Sequence, residues 1–171
     1  MSGIVPAVGL SDHVVPDLIA AFTARSLTIG TAESLTGGLL AAVLTEAPGS
    51  SAVFRGGLVV YATDLKHRLA GVDAALLARC GPVDPQVAVE LARGARLRCA
   101  ADIGVGLTGV AGPDPQNGVP VGTWYCAVLG PADREQLRRG VPTASATRAE
   151  VRSAAVTAAV ELLANIAATD S

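Results

Sequence analysis

Thr31-Ala32-Glu33-Ser34-Leu35-Thr36-Gly37-Gly38 is the stretch on which the fold of this 171-residue chain turns. A β-leaning run, Leu27–Ala32, leads into it, and a helix rich in Ala and Leu, Thr36–Thr45, leads out. A strand that feeds a helix through a glycine turn is the working unit of a layered α/β sheet. Such a turn exposes a hydroxyl and aims backbone N–H groups and the helix dipole at negative charge. Spacing alone leaves three readings open. Ser34 is a nucleophile beside an oxyanion hole, or the loop cradles a phosphate. In the third, Ser34 or Thr36 only caps the helix while the glycines permit close packing. The segment is neither a GxSxG elbow nor a Walker A loop.

The elements on either side fit the same architecture. Val14–Arg25 has the apolar spacing of an amphipathic helix, and Ala52–Tyr61 is apolar and β-branched. Short helices are expected over Asp64–Ala70 and Ala74–Cys80. A longer one is expected over Pro85–Ala100, with Pro85 in its first turn, where a missing N–H costs nothing. Asp102–Leu107, Val121–Leu129 and Glu135–Val141 read as strands, the last two close enough for a hairpin. Thr147–Ala168 closes the chain as a helix, and Thr147-Arg148-Ala149-Glu150 has the spacing of a capping box. The expectation is a three-layer α/β/α sandwich around a mixed, mainly parallel sheet. It is a single domain over residues 13–168, after a loosely held segment 1–12. Ligands of open α/β sheets bind beyond the carboxyl ends of the strands. Residues 31–38, 61–66 and 108–123 follow strands and are expected to converge there.

Composition narrows the function classes. Half the residues are hydrophobic, 16% are charged and 3% are aromatic, so Ala, Val and Leu fill the core. The net charge of −2 and the lack of a basic patch with aromatics give nucleic-acid binding little support. The basic stretch Arg134–Arg139 reads as a solvated edge strand or loop. No apolar run approaches the ~20 residues that span a bilayer, and no signal-peptide pattern opens the chain. Cys80, Cys99 and Cys126 lack metal-ligand spacing, and His13 and His67 leave a zinc site short of ligands. A cytoplasmic chain with no metal or cofactor is expected, with a small-molecule partner and neither nucleic acid nor membrane. The apolar content points to a homo-oligomer.

Two further segments carry chemistry. If Thr63 caps a helix, Lys66 stands at the third helical position, against the positive end of the dipole. That placement lowers a lysine pKa, and burial lowers it further. A neutral lysine is a general base for serine, and Tyr61 at the strand end has a hydroxyl to donate nearby. The plainer reading is a snorkelling lysine and a half-buried tyrosine. Thr108-Gly109-Val110-Ala111-Gly112-Pro113, continuing to Gly118-Val119-Pro120-Val121-Gly122-Thr123, is a long loop suited to a phosphate or sugar, or fixed structurally by Pro and Gly. Arg148 and Arg152, four apart, share a helix face that an anion would stabilise; otherwise both are solvated.

Taken in order, Ala32-Glu33-Ser34-Leu35-Thr36-Gly37-Gly38, Pro48-Gly49-Ser50-Ser51 with Phe54, Tyr61 with Lys66, Gly81-Pro82-Val83-Asp84, Thr108–Pro113, Pro120-Val121-Gly122-Thr123 and Arg148 with Arg152 resemble the CinA C-terminal domain family. The match covers residues 14–167, and stand-alone members of that family resemble nicotinamide mononucleotide deamidase. The resemblance implies an amidohydrolase in pyridine nucleotide recycling, with Ser34 as nucleophile, Lys66 as base and Tyr61 orienting one of them. It implies ligand binding by Glu33, Thr36, Gly37, Gly38, Thr108, Gly109, Ala111, Gly112 and Arg148, with oxyanion donors near Thr36–Gly38. Leu35 stands where many members have Cys, Ala62 and Asp84 replace serines, and Asp114-Pro115-Gln116-Asn117-Gly118 replaces a short glycine pair. The pyrophosphatase-linked N-terminal domain of full-length relatives is not expected in this chain. The rival expectation is a non-catalytic nucleotide- or phosphate-binding module, competence- or damage-inducible in role, which does not need Lys66 near Ser34.

Overall fold

The computed structural model describes residues 3–142 and 145–169. In chain order the elements are α1 (Ile4–Ala7), α2 (Val14–Ala24), β1 (Ile29–Glu33), α3 (Leu39–Glu46), β2 (Phe54–Val59), α4 (Thr63–Arg68), α5 (Ala74–Cys80), α6 (Pro85–Arg98), β3 (Ile103–Gly109), β4 (Trp124–Leu129), β5 (Glu135–Gly140) and α7 (Arg148–Thr169). The strands form one sheet of order β2-β1-β3-β4-β5. β1 pairs in parallel with both β2 and β3, while β4 runs antiparallel to β3 and to β5. Four strands therefore point one way and β4 alone points back, the mixed sheet that the hairpin predicts.

Burial follows position in the sheet. β1 is buried at every residue and β3 at all but its last, as central strands covered on both faces must be. The edge strands β2 and β5 alternate between half-buried and exposed. On one face, Ile29, Ile103, Val105, Leu107, Cys126 and Val128 pack under α1, α2, α3 and α7. On the other, Ala32, Ala127 and Leu129 meet α6, with α4 and α5 beside it. The three layers predicted from the sequence are present.

Small residues let α6 lie directly on the sheet. A Cβ on Gly104 would collide with the Ala92 carbonyl, and one on Gly106 with the Ala88 carbonyl. Backbone cannot yield there as a flexible side chain would. Gly106→Ala is expected to destabilise the fold by about 3 kcal/mol. The urea midpoint should fall with the slope unchanged; an unshifted midpoint would refute the close approach.

Three local expectations are corrected. The segment 1–12 is not loosely held where it is described. Val5 and Val8 are buried in the main core. The Ile4 and Val5 N–H groups donate to the Glu46 carboxylate at 3.0 and 2.9 Å. Apolar residues at helical spacing give this turn a face to bury over α3. Helix α3 begins at Leu39, not Thr36, because Gly37 and Gly38 take φ of +60° and +93°, outside the helical region. Finally, α7 is long and apolar enough to cross a membrane by length and composition alone. Val156, Ala159, Val160 and Leu163 on it are fully buried against the sheet, the behaviour of a core helix. Its capping box is formed: Glu150 accepts from the Thr147 N–H and hydroxyl, both at 2.7 Å.

Candidate active site

β1, β2 and β3 end at the same edge of the sheet because they run parallel. The three predicted loops leave from that edge and enclose a cleft of about 300 Å³. Ser34 and Leu35 come from the turn after β1, Tyr61 from the end of β2, and Lys66 from α4. Thr108 through Asp114, from the last two residues of β3 onward, form a wall, and Arg148 reaches in from α7.

Lys66 is 2% exposed and Ser34 7%. Lys66 Nζ lies 2.9 Å from Ser34 Oγ, 3.0 Å from the Val60 carbonyl and 3.3 Å from the Tyr61 carbonyl. Desolvation by burial pulls the lysine down to about 8. As an ammonium, the form that prevails below about 8, Lys66 donates to all three oxygens. Once it has lost a proton, the neutral amine fits the same contacts. Its two N–H groups serve the two carbonyls, and its lone pair faces the serine hydroxyl, which then donates. That is the arrangement in which a lysine removes a serine proton. Tyr61 is 58% exposed at the cleft mouth. Its hydroxyl accepts from Arg148 Nη2 at 2.7 Å, while Arg148 Nη1 donates to the Gly112 carbonyl at 2.8 Å.

A sequence model of the CinA C-terminal domain matches residues 12–167. The chain belongs to the CinA C-terminal domain family. A CinA-like protein of Frankia casuarinae is 42% identical over 155 residues, 91% of this chain and 35% of that protein. A putative competence-damage inducible protein of a Geobacillus species is 46% identical over 113 residues, 66% of this chain and 27% of that protein. The chain thus spans about a third of the length of these curated relatives. Among solved structures, the competence/damage inducible protein CihA from Agrobacterium tumefaciens superposes with a TM-score of 0.85 at 36% identity, covering 90% of this chain and 93% of that one. A CinA superfamily protein from Enterobacter cloacae gives 0.83 at 29% identity, with 90% of each chain covered.

Within this CinA domain several expected roles change. Thr63 does not cap α4; Ala62 holds that position and Lys66 falls in the helix's last turn. The lysine is therefore shifted by burial, not by the positive end of the dipole. The Tyr61 phenol does not orient Lys66 or Ser34. Its hydroxyl meets Arg148 instead, and the part of Tyr61 that touches Lys66 is the backbone carbonyl. Glu33 does not line the cleft. Its buried carboxylate accepts from the N–H groups of Gly38, Leu40 and Ala41 at 3.1, 3.1 and 2.9 Å. Neither Ser34 nor Thr36 caps the helix, because Glu33 meets its amino end from the strand.

That carboxylate also decides which amides are free for an oxyanion. Gly38 N–H is bound to Glu33, Gly37 N–H to the Ser34 carbonyl at 3.1 Å, and Ser34 N–H to the Leu107 carbonyl at 2.9 Å. Among the described residues of the turn, the N–H groups without an acceptor are those of Leu35 and Thr36. The expected donors thus move one residue toward the nucleophile. Thr108 is on the wall, but its hydroxyl donates to the Pro82 carbonyl at 2.6 Å and is committed to the fold. Gly109, Ala111 and Gly112 line the cleft through their backbone neighbourhood.

The two arginines separate. Arg148 stands in the cleft, whereas Arg152 Nη2 donates to the Thr36 carbonyl at 2.7 Å and secures the nucleophile turn to α7. Pro82 and Val83 also line the cleft and were not expected there, while Asp114 and Gln116 line it from within the expected 108–123 loop without having been singled out. The Gly81–Asp84 motif carried the signal for the first two. Asp84 itself caps α6, accepting from the Gln86 N–H at 2.8 Å, a task a serine in its place would also perform.

Proposed function

We propose that this chain is an amidohydrolase that converts nicotinamide mononucleotide to nicotinate mononucleotide and ammonia. The observation that supports it most is the buried Lys66 amine 2.9 Å from Ser34 Oγ. Ser34 Oγ attacks the carboxamide carbon as Lys66 takes its proton. The free N–H of Leu35, which lines the cleft, and that of Thr36 next to it are the donors this reading assigns to the developing oxyanion, a contribution of about 3 kcal/mol for one donor. Lys66 returns the proton to nitrogen, the C–N bond breaks and ammonia leaves. Water then attacks the Ser34 ester, Lys66 again accepting and returning a proton, and nicotinate mononucleotide departs. The pyridinium ring draws electrons from the amide and favours attack. Arg148, with spare donors at the cleft mouth, takes the phosphate. The partner this reading implies is a small cytoplasmic pyridine nucleotide.

The test is ammonia release from nicotinamide mononucleotide by the purified chain, with a chelator present. Release that persists in both Ser34→Ala and Lys66→Ala would end the serine–lysine mechanism. Nucleotide binding without any release would favour a binding module instead.

A further inference from the structure

Two of the groups expected to bind ligand are committed elsewhere. The Thr108 hydroxyl is bound to Pro82, and the Glu33 carboxylate is closed over the end of α3. A carboxamide seated at the buried Ser34 obliges the rest of a nucleotide to run outward along the Thr108–Gly112 wall to the exposed rim. There the wall runs out into Asp114 and Gln116, and Arg148 stands beside it with Nη1 on the Gly112 carbonyl. Both Asp114 and Gln116 line the cleft, and among the described residues neither side chain has a hydrogen-bond partner.

A tight turn shapes the far end of this loop. Gln116 and Val119 exchange both backbone hydrogen bonds, at 3.1 and 2.8 Å. Asn117 and Gly118 between them take φ of +50° and +78°. This is a tight two-residue hairpin turn with its favoured Asn-Gly sequence. The Asn117 amide lies near Gly81, the residue before Pro82 and Val83 of the cleft lining. Gln116 is therefore held at the base of a preformed turn, with Asp114 two residues before it.

Electrostatics divides the rim. A phosphate is drawn to the Arg148 guanidinium and repelled by the Asp114 carboxylate. Neutral hydroxyls have the opposite preference: a carboxylate accepts two O–H bonds at once, as it does from ribose in dinucleotide-binding folds. An adjacent amide both donates and accepts. We propose that Asp114 and Gln116 are specificity-determining residues that bind the 2′- and 3′-hydroxyls of a nucleotide's ribose. The proposal rests on the deamidase reading for the placement of the carboxamide at Ser34.

The experiment compares dissociation constants of nicotinamide mononucleotide and its 2′,3′-dideoxyribose counterpart, by calorimetry on Ser34→Ala protein. The unaltered loop should favour the ribose form by about ten- to a hundredfold, the range for hydrogen bonds to a charged group. Asp114→Asn should weaken that preference, and Asp114→Ala with Gln116→Ala should abolish it. Equal binding of the two ligands by the unaltered loop, or a preference that survives the double change, overturns the proposal. Ammonia release by the wild-type chain separates the two claims. Release without ribose preference sinks the diol site alone, and ribose preference without release sinks the deamidase reading alone. Neither ligand binding sinks the diol site whatever the turnover.

Discussion

Lys66→Ala is expected to lower the rate of ammonia release about 10³-fold, the scale of a lost general base. Ser34→Ala should lower it at least as far. The double variant should be no slower than the slower single one, because nucleophile and base act as one unit. Additive losses would show that the two residues serve separate steps. The pH profile supplies a second check. With Lys66 drawn down to about 8, the wild-type rate should rise with pH and level off above that value. A rate falling between pH 7 and 9 would contradict a lysine base. Stability should carry the same signature. The folded value lies below the ordinary 10.5, so the unfolded chain binds more protons between about 8 and 10.5. Wild-type stability relative to Lys66→Met should therefore climb through that window, by about 3 kcal/mol in all, and stay level below it. Urea unfolding at pH 7, 9 and 10.5 measures the difference.

The layered fold was legible because apolar period and glycine turns report local structure directly. The β4–β5 hairpin and the Thr147–Glu150 capping box are of this kind: each is decided by residues a few positions apart. The Ser34–Lys66 contact spans 32 positions and is a property of strands that end at a shared edge, so spacing alone could only nominate its members. Tyr61 was placed correctly but given the wrong atom, since a sequence shows the phenol and hides the carbonyl. Arg152 looked like a companion of Arg148 because four positions put both on one helix face. A small rotation around that face sends one to the cleft and the other to the Thr36 carbonyl. The Asp114–Gly118 loop stood out as a departure from the family pattern within the expected 108–123 segment, but that Asp114 and Gln116 are its cleft-lining members needed the folded chain.

Glu33 shows most clearly how a residue next to the nucleophile acts without meeting a ligand, and its replacement carries the second large expected effect. No cap pattern finds it, because capping residues are sought within about four positions of the N–H groups they serve. Glu33 instead reaches back from the end of β1 to amides five, seven and eight residues on. Glu33→Ala removes a buried charge from the positive end of α3 and leaves three N–H groups without an acceptor. At 1–3 kcal/mol for each buried unsatisfied group, partly relieved by water, a loss of about 3–5 kcal/mol is expected. Glu33→Gln keeps the volume but turns an N–H₂ group toward amide donors, so about 2 kcal/mol should be lost. In the folded Gln variant the turn shifts, and with it Ser34 and the Leu35 and Thr36 amides. A misplacement of about 1 Å costs about 10²-fold in rate. The fall should therefore lie in kcat, with KM little changed. Stability comes from urea unfolding and the split from steady-state kinetics. A Gln variant that raised KM and left kcat alone would return Glu33 to the ligand-binding role that its sequence position suggests. An Ala variant as stable as wild type would remove the carboxylate from the helix end.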